Sequence, residues 1–252
     1  MFRKSLLRVM ISPVQSTNVR NFSSTIDPRQ KEALDKDQVI LVTPKDEYKG
    51  KCSKREAHLW KNVEKGGMLH RAFSVFLFNK DKELLLQKRA LTKVTFPGVW
   101  TNTCCSHPLH VKDEMNLEEN ALGVRKAAER RLAYELGIPV EQVTADKIEY
   151  VTRMLYEAQD PTNPEWGEHE LDYILFMRAD VIPFPNLNEV EATQYVSKAG
   201  LKMLLKKSET DPHMIKFSPW FLILARGLLF EWWDHLDNLE KIIDKRKIIV
   251  AN

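Results

Sequence analysis

Short apolar runs separated by polar turns dominate much of the chain and predict β-strands. Each run is rich in β-branched, aromatic or aliphatic side chains and is bounded by turn residues, a pattern typical of strands. The strands predicted in this way cover residues 39–42, 69–79, 84–89, 148–156 and 168–177. A polar turn at residues 79–81 joins the second and third runs, which indicates a hairpin.

The strongest helical pattern spans residues 120–137. Its apolar stripe consists of Ala121, Leu122, Val124, Ala128, Leu132 and Leu136. Gly137 followed by Pro139 predicts the end of this helix. Its polar face carries Arg131 and Glu135, four residues apart, a spacing typical of a solvated ion pair.

Other segments predict shorter or later helices. A helix within residues 51–60 would place Lys54 and His58 on one face, because residues four apart share a face. Residues 43–50 read as a polar turn, residues 197–207 and 219–236 as helices, and residues 240–247 as a charged, helical edge. Strands interleaved with helices predict one compact α+β domain.

Composition narrows the functional classes. The 252 residues are 43% hydrophobic and 29% charged, as in ordinary globular proteins. A formal net charge of +3 shows no dominant basic field, so nucleic acid is not an expected partner. The odd count of three cysteines argues against a disulfide framework, and no apolar run is long enough to predict a membrane span.

The N-terminal segment has a composition of its own. Residues 1–26 contain Arg3, Lys4, Arg8 and Arg20, and no acidic residue. Basic, Ser-containing and acid-free N-termini are typical of organelle transit peptides. We therefore predict a cleaved mitochondrial transit peptide over residues 1–27, with a disordered tail as the alternative. A cytosolic or peroxisomal pool is the alternative location.

The densest candidate chemistry lies in residues 95–110. There Cys104 and Cys105 precede Ser106 and His107, just after a turn marked by Pro97-Gly98. Such thiols can be acid/base groups, metal ligands or inert buried residues. If residues 103–106 are extended, alternate side chains point to opposite faces, so only one thiol enters a pocket. Cys105 and His107, two residues apart, would then share one face, where a nearby cation would favour thiolate.

Two carboxylates mark the start of the strand at 168–177. Glu168 and Glu170 point to one face and His169 to the other, because strand side chains alternate. Two like charges on one face repel unless a cation or proton lies between them. The sequence therefore suggests a metal site, although the candidate histidine ligands have no short local spacing.

Taken together, these segments resemble type I isopentenyl-diphosphate Δ-isomerase, a Nudix-like family with an α/β/α sandwich and a mixed sheet. The resemblance implies a single catalytic domain over residues 38–238, followed by a C-terminal extension at 239–252. Five motifs in the family's order carry it: HRAFSVFLF (70–78), TNTCCSHP (101–108), RRLAYELGIP (130–139), WGEHELDYIL (166–175) and SPW (218–220).

The resemblance implies the reaction and its residues. Isopentenyl diphosphate would become dimethylallyl diphosphate by protonation and deprotonation through a tertiary carbocation. Cys105 would be the thiol acid/base, Glu170 backed by Tyr156 the opposing proton carrier, and Trp220 the indole that faces the cation. Losing either proton carrier should cost about 3–5 kcal/mol of barrier.

The resemblance also implies metals and a diphosphate site. One divalent metal, zinc or manganese more than magnesium from the donor types, would bind His58, His70, His107, Glu168 and Glu170. Glu135 would bind a second ion, Mg²⁺, that accompanies the substrate diphosphate. The diphosphate itself would be held by Lys54, Arg89, Lys93, Ser106 and Arg131.

Three alternatives compete with this interpretation. A Nudix pyrophosphohydrolase would share the fold, but Arg131 and Tyr134 replace two acidic positions of its signature. A non-catalytic diphosphate-binding protein would be expected to lack the thiol, the carboxylate pair or Trp220. A structural zinc module could use Cys104 and His107, but no second Cys/His pair has finger spacing.

Overall fold

A mixed β-sheet covered by helices on both faces forms the protein, as the computed structural model shows for residues 28–251. The helices are α1 (Pro28–Lys36), α2 (Lys54–His58), α3 (Trp60–Val63), α4 (Glu118–Leu136), α5 (Lys198–Thr210), α6 (Pro219–Arg226) and α7 (Leu229–Asp234). The strands are β1 (Gln38–Val42), β2 (Tyr48–Ser53), β3 (His70–Phe78), β4 (Leu84–Arg89), β5 (Trp100–Thr101), β6 (Cys104–Ser106), β7 (Ile148–Gln159), β8 (Gly167–Arg178), β9 (Val190–Val196) and β10 (Ile248–Val250).

Strand β3 organises the sheet. It runs parallel to β8 and antiparallel to β6, while β7 continues the sheet antiparallel to β8. The path is β10-β7-β8-β3-β1-β2, and β4 joins β3 to β9 and β5. All nine residues of β3 are buried, as expected for a central strand covered on both faces.

Alternation along β3 builds two cores. Phe73, Val75 and Leu77 pack with the apolar stripe of α4 on one face. Phe76 and Phe78 pack on the other face with α6 and α7, which supply buried aromatic residues including Trp220 and Trp233. These two layers confirm the predicted α+β sandwich with a mixed sheet.

The helix predicted at 120–137 corresponds to α4, but Asn120 and Ala121 have positive φ, so regular helix begins only after them. The helix ends where Gly137 adopts a left-handed conformation with φ +60°. A Cβ at Gly137 would lie 2.2 Å from the carbonyl oxygen of Phe184, so glycine also permits this close approach. The predicted helix at 219–236 is divided, because the backbone of Gly227 leaves helical geometry between α6 and α7.

The C-terminal segment differs from the prediction. Residues 240–247 are not a helical edge: only a 3₁₀ turn occurs, at Leu239–Lys241. The chain then forms β10, whose β-branched side chains Ile248 to Val250 pair in parallel with β7. The predicted polar turn at 43–50 likewise includes part of β2, which pairs with β1. No helix in the described range 28–251 is long and apolar enough to cross a membrane.

Candidate active site

Strand register brings the carboxylates of β8 beside groups from distant parts of the chain. His70 is the partner of Glu170 across the parallel β3–β8 pair, and Tyr156 is its partner across the β7–β8 pair. His58 lies at the end of α2, and His107 follows β6. The three histidines and the carboxylates of β8 therefore come from four separate segments that converge on one buried point.

Three imidazoles and two carboxylates form this cluster. One ligand atom from each of His58, His70, His107, Glu168 and Glu170 lies within 4.8 Å of the others. His107 Nε2 is 2.8 Å and His70 Nε2 is 3.6 Å from Oε1 of Glu170. His58 Nε2 is 2.9 Å from Oε2 of Glu168, although that oxygen has no hydrogen bond of acceptable geometry.

The cluster has the properties of a site for a divalent metal. Both ring nitrogens of His70 and Nδ1 of His107 are buried without a hydrogen-bond partner, an arrangement that is costly unless another group binds them. Burial lowers the pKa of both imidazoles, which keeps them neutral as metal ligands must be. Three imidazoles and two carboxylates are a suitable donor set for zinc or manganese.

Glu170 also forms part of a proton-transfer pair. Its Oε2 accepts a short hydrogen bond from the phenol of Tyr156. Burial opposes ionisation of Glu170, but the nearby imidazole of His70 and the hydrogen bond from Tyr156 hold the pKa of this carboxyl below its ordinary value. Burial and the charge of Glu170 raise the pKa of Tyr156 well above 10, so the phenol stays protonated and donates.

Cys105 lines the same cavity, which measures about 590 Å³ including its open mouth. Its thiol is 3.0 Å from Oδ1 of Asn102 and 3.1 Å from Nε1 of Trp220. Burial raises the pKa of Cys105 to about 12 against the lowering effects of Thr101, Arg89 and Trp220. Burial therefore opposes the thiolate that we expected at Cys105, and the effect of a bound cation on this thiol stays a prediction.

Cys104 lies on the opposite face of β6. It is fully buried in the core formed with α4, so alternation separates the two thiols as predicted. It is absent from the ligand cluster that contains His107. A zinc module built on Cys104 and His107 is therefore contradicted by the structure.

Basic side chains gather at one side of the cavity. Lys93 Nζ is 2.5 Å from Oε2 of Glu189, and Arg131 Nη2 is 3.3 Å from the same oxygen and 2.6 Å from Oε1 of Glu135. The side chains of Arg131 and Glu135 are only 12% and 4% exposed, so the expected solvated pair is instead buried. Burial, then the charges of Lys93 and Arg131, lowers the pKa of Lys54 to about 8.

The predicted diphosphate residues are not equally placed. Lys54, Arg89, Lys93 and Ser106 line the cavity, whereas Arg131 is not among its lining residues. Arg89 also contacts the protein itself, because its guanidinium donates to the carbonyl oxygens of Phe96 (3.0 Å) and Thr95 (2.7 Å). Glu135, predicted to bind a second ion, lies outside the five-residue cluster and also accepts from Gln87 at 3.4 Å.

Sequence reasoning missed three polar residues of the site. Asp172 is buried two residues after Glu170 and accepts from Ser74 Oγ at 2.8 Å; continuing the alternation from Glu168 would have found it. Asn102 is fully buried beside the thiol of Cys105 and lies within the TNTCCSHP motif at residues 101–108. Glu189 joins Lys93 to Arg131, and no local pattern marks it.

Comparison with known proteins gives consistent results. The NUDIX domain family matches residues 68–221. Isopentenyl-diphosphate Delta-isomerase II of Clarkia breweri is 49% identical over 225 residues, 88% of this chain and 78% of that protein. The chloroplastic isopentenyl-diphosphate Delta-isomerases of Arabidopsis thaliana (II) and Cannabis sativa (1) are 47% and 44% identical, covering 94% and 98% of this chain and 87% and 89% of those proteins.

These relatives correct the predicted location. The proteins from Arabidopsis thaliana and Cannabis sativa are named chloroplastic, which points to a plastid rather than a mitochondrion. The mitochondrial prediction is therefore contradicted. The segment on which it was based, residues 1–27, lies outside the residues that the structure describes.

Proposed function

This chain belongs to the isopentenyl-diphosphate Δ-isomerases of the Nudix family, and we propose how its own residues move the double bond. The chain converts isopentenyl diphosphate to dimethylallyl diphosphate. In our proposal one group gives a proton to the terminal alkene carbon, and another removes a proton from the neighbouring carbon. A tertiary carbocation lies between the two steps.

Cys105 is the proposed proton donor. Its raised pKa keeps a proton on sulfur at neutral pH, which an acid toward an alkene requires. The hydrogen bonds to Asn102 and Trp220 fix the direction of the thiol. When the proton forms the new C–H bond, the thiol becomes a thiolate that Trp220 Nε1–H and Thr101 Oγ1 are placed to stabilise.

Glu170 is the proposed proton acceptor. Its lowered pKa keeps it ionised, and it takes a proton from the carbon beside the cation as the new double bond forms. Tyr156 holds Oε2 by its hydrogen bond, so the carboxylate is oriented before substrate arrives. After turnover the thiolate regains a proton and Glu170 loses one by exchange with water, which restores both groups.

The separation of the two groups suits a small substrate. Cys105 lies on β6 and Glu170 on β8, and both strands pair with β3 between them. Cys105 is the register partner of Ser74 and Glu170 that of His70, so their backbones lie two strand spacings (about 10 Å) and four residues along the strand (about 13 Å) apart, which leaves room for a five-carbon chain between the two side chains. Trp220, only 3% exposed, lines the cavity between them. Its indole would stabilise the desolvated carbocation by about 2 kcal/mol.

Binding at the other end of the substrate is proposed for the basic residues. Lys54, Arg89 and Lys93 line the cavity and would bind the diphosphate by charge-assisted hydrogen bonds, with Ser106 beside them. Arg131 would complete this group only by moving from Glu135 or Glu189. We propose that Glu135 binds the Mg²⁺ that accompanies the diphosphate.

A divalent ion in the five-residue cluster is the proposed resident metal, zinc or manganese in preference to magnesium. His58, His70, His107, Glu168 and Glu170 would hold it. When bound, it would supply positive charge that lowers the proton affinity of Glu170. We propose residues 38–238 as the isomerase domain and 239–252 as its extension, which contributes β10 to the sheet edge.

The placement of the Cys105 thiol and the Glu170 carboxylate in one cavity is the observation that carries this mechanism. The test incubates purified protein with isopentenyl diphosphate and Mg²⁺ and measures an acid-labile allylic product. Phosphate release from nucleoside diphosphate derivatives is measured in parallel. We expect allylic product without phosphate release. Hydrolysis without isomerisation would contradict the proposal and favour a pyrophosphohydrolase.

A further inference from the structure

Phe96 has an unusual backbone conformation. Its φ is +47°, in the left-handed region, and its side chain is 2% exposed. For a bulky residue this conformation is a genuine outlier that the surrounding structure must enforce. Such outliers cluster at functional sites, and Phe96 follows residues that line the cavity, Val94 and Thr95.

A buried carboxylate enforces this conformation. Asp160 follows β7 and is 0% exposed. Its Oδ2 accepts a 2.6 Å hydrogen bond from the backbone N–H of Phe96. Its Oδ1 accepts from the backbone N–H and the hydroxyl of Thr162 at 2.8 and 2.7 Å, so both oxygens are engaged. Arg89 binds the carbonyl oxygen of Phe96, which fixes the residue from both sides.

The ring of Phe96 in turn contacts the proposed cation-stabilising indole. The centroids of Phe96 and Trp220 are 5.3 Å apart with planes at 90°, an edge-to-face contact. Trp220 also donates toward Cys105 and Asn102 through Nε1. A change in the backbone of Phe96 would therefore shift the indole relative to the thiol.

We propose that Asp160 is a positioning residue for the isomerisation: it holds Phe96 in the left-handed conformation and thereby orients Trp220. Asp160 itself touches neither thiol nor metal ligand among its recorded contacts. Its contribution therefore depends on Phe96. This inference rests on the proposed role of Trp220, and it adds a residue that neither the sequence motifs nor the cluster of ionisable groups identified.

The first measurement compares Asp160→Ala and the isosteric Asp160→Asn with the intact enzyme. We expect kcat to fall about 10- to 100-fold, since small displacements in an active site have effects of this size. Bound metal and the inhibition constant of inorganic pyrophosphate should stay within about twofold. Thr162→Val is the matched control. It removes the hydrogen bond from the Thr162 hydroxyl to Oδ1 of Asp160, and it should keep kcat within about threefold.

A double-mutant cycle with Phe96→Gly separates positioning from a purely structural role. Glycine adopts the left-handed conformation without enforcement. The Asp160 substitution should therefore change kcat by less than about twofold in the Phe96→Gly protein, a strong departure from additivity. An undiminished loss in that background, or unchanged kcat in both Asp160 variants, would overturn the inference. Trp220→Phe tests the proposed role of Trp220 separately. Full activity in that variant would refute the stabilisation of the cation by Trp220, but not the effect of the Asp160 hydrogen bond on Phe96.

Discussion

His70 and Glu170 are register partners on the parallel strands β3 and β8, and their Nε2 and Oε1 atoms lie 3.6 Å apart. Both nitrogens of His70 are nevertheless without a hydrogen bond in a buried site. The neighbouring strands β3 and β8 thus place the neutral imidazole of His70 beside the carboxylate of Glu170. Because neither group satisfies the other, the pair is suited to share a third partner, the metal.

The first prediction concerns metal binding. Glu168→Gln removes one charged ligand from the cluster and should lower metal affinity at least about tenfold, since loss of even an outer partner has such an effect. Isomerase activity should fall with it. His169→Gln is the control, because His169 lies on the opposite face of β8. Elemental analysis showing equal metal content in both variants would remove Glu168 from the ligand set.

The second prediction concerns Glu189. Its carboxylate contacts Lys93 and Arg131, whose charges hold its pKa below the ordinary value despite burial. Glu189→Gln should let the two cations repel and separate, raising KM for the diphosphate substrate by about tenfold while changing kcat less.

Glu191 supplies the matched control for Glu189. It lies two residues along and pairs with Lys88 at the surface, where the carboxylate side chain is 41% exposed. Exposed ion pairs contribute little free energy, so Glu191→Gln should have the same KM and kcat as the unaltered protein. A lower KM in the Glu189 variant would show that removing negative charge outweighs positioning.

The sequence predicted those parts of the site that depend on local periodicity. Alternation placed Glu168 with Glu170 and separated Cys104 from Cys105, because both features are set within one strand. Strand β9 was missed, since Val190–Val196 mixes polar and apolar residues without a clean alternation. The convergence of four segments depends on the register of β3 with β8, a long-range property that only the family resemblance supplied.

Burial works against the thiolate that we expected at Cys105, and the sequence does not show this effect. The sequence shows which charges are near Cys105 along the chain, but it does not show how deeply the sulfur is buried. Desolvation is the largest influence on its pKa and acts against ionisation. Glu189 escaped prediction for a similar reason: Lys93 and Arg131 lie 96 and 58 residues away and meet only in the folded chain.

The third prediction concerns pH. The pKa of Lys54 is lowered to about 8, so its ammonium is charged below pH 8 and becomes neutral above it. Loss of that charge should weaken diphosphate binding by about tenfold as pH rises from 7 to 9. Inhibition by inorganic pyrophosphate measures the affinity. Lys54→Arg stays charged throughout and controls for titration of pyrophosphate itself, so an equal slope in both proteins would assign the effect to another group.

The last prediction separates the two adjacent thiols. Cys105→Ala removes the proposed proton donor and should lower kcat about 10²- to 10⁴-fold, which is the usual contribution of a general acid. Folding and metal content should persist, since Cys105 is not a ligand in the buried cluster. Serine has nearly the shape of cysteine, but a hydroxyl is a far weaker acid than a thiol, so Cys105→Ser should retain only trace activity.

Cys104→Ala is the control for this experiment. Cys104 packs in the core against α4, so its truncation should cost about 1 kcal/mol of unfolding free energy and leave kcat largely unchanged. An electrophilic substrate analogue should label Cys105 and spare Cys104, as detected by peptide mass analysis. The two thiols share every feature of sequence environment except the face of β6 on which they lie. An inactive Cys104 variant beside an active Cys105 variant would therefore refute the assignment of the proton donor.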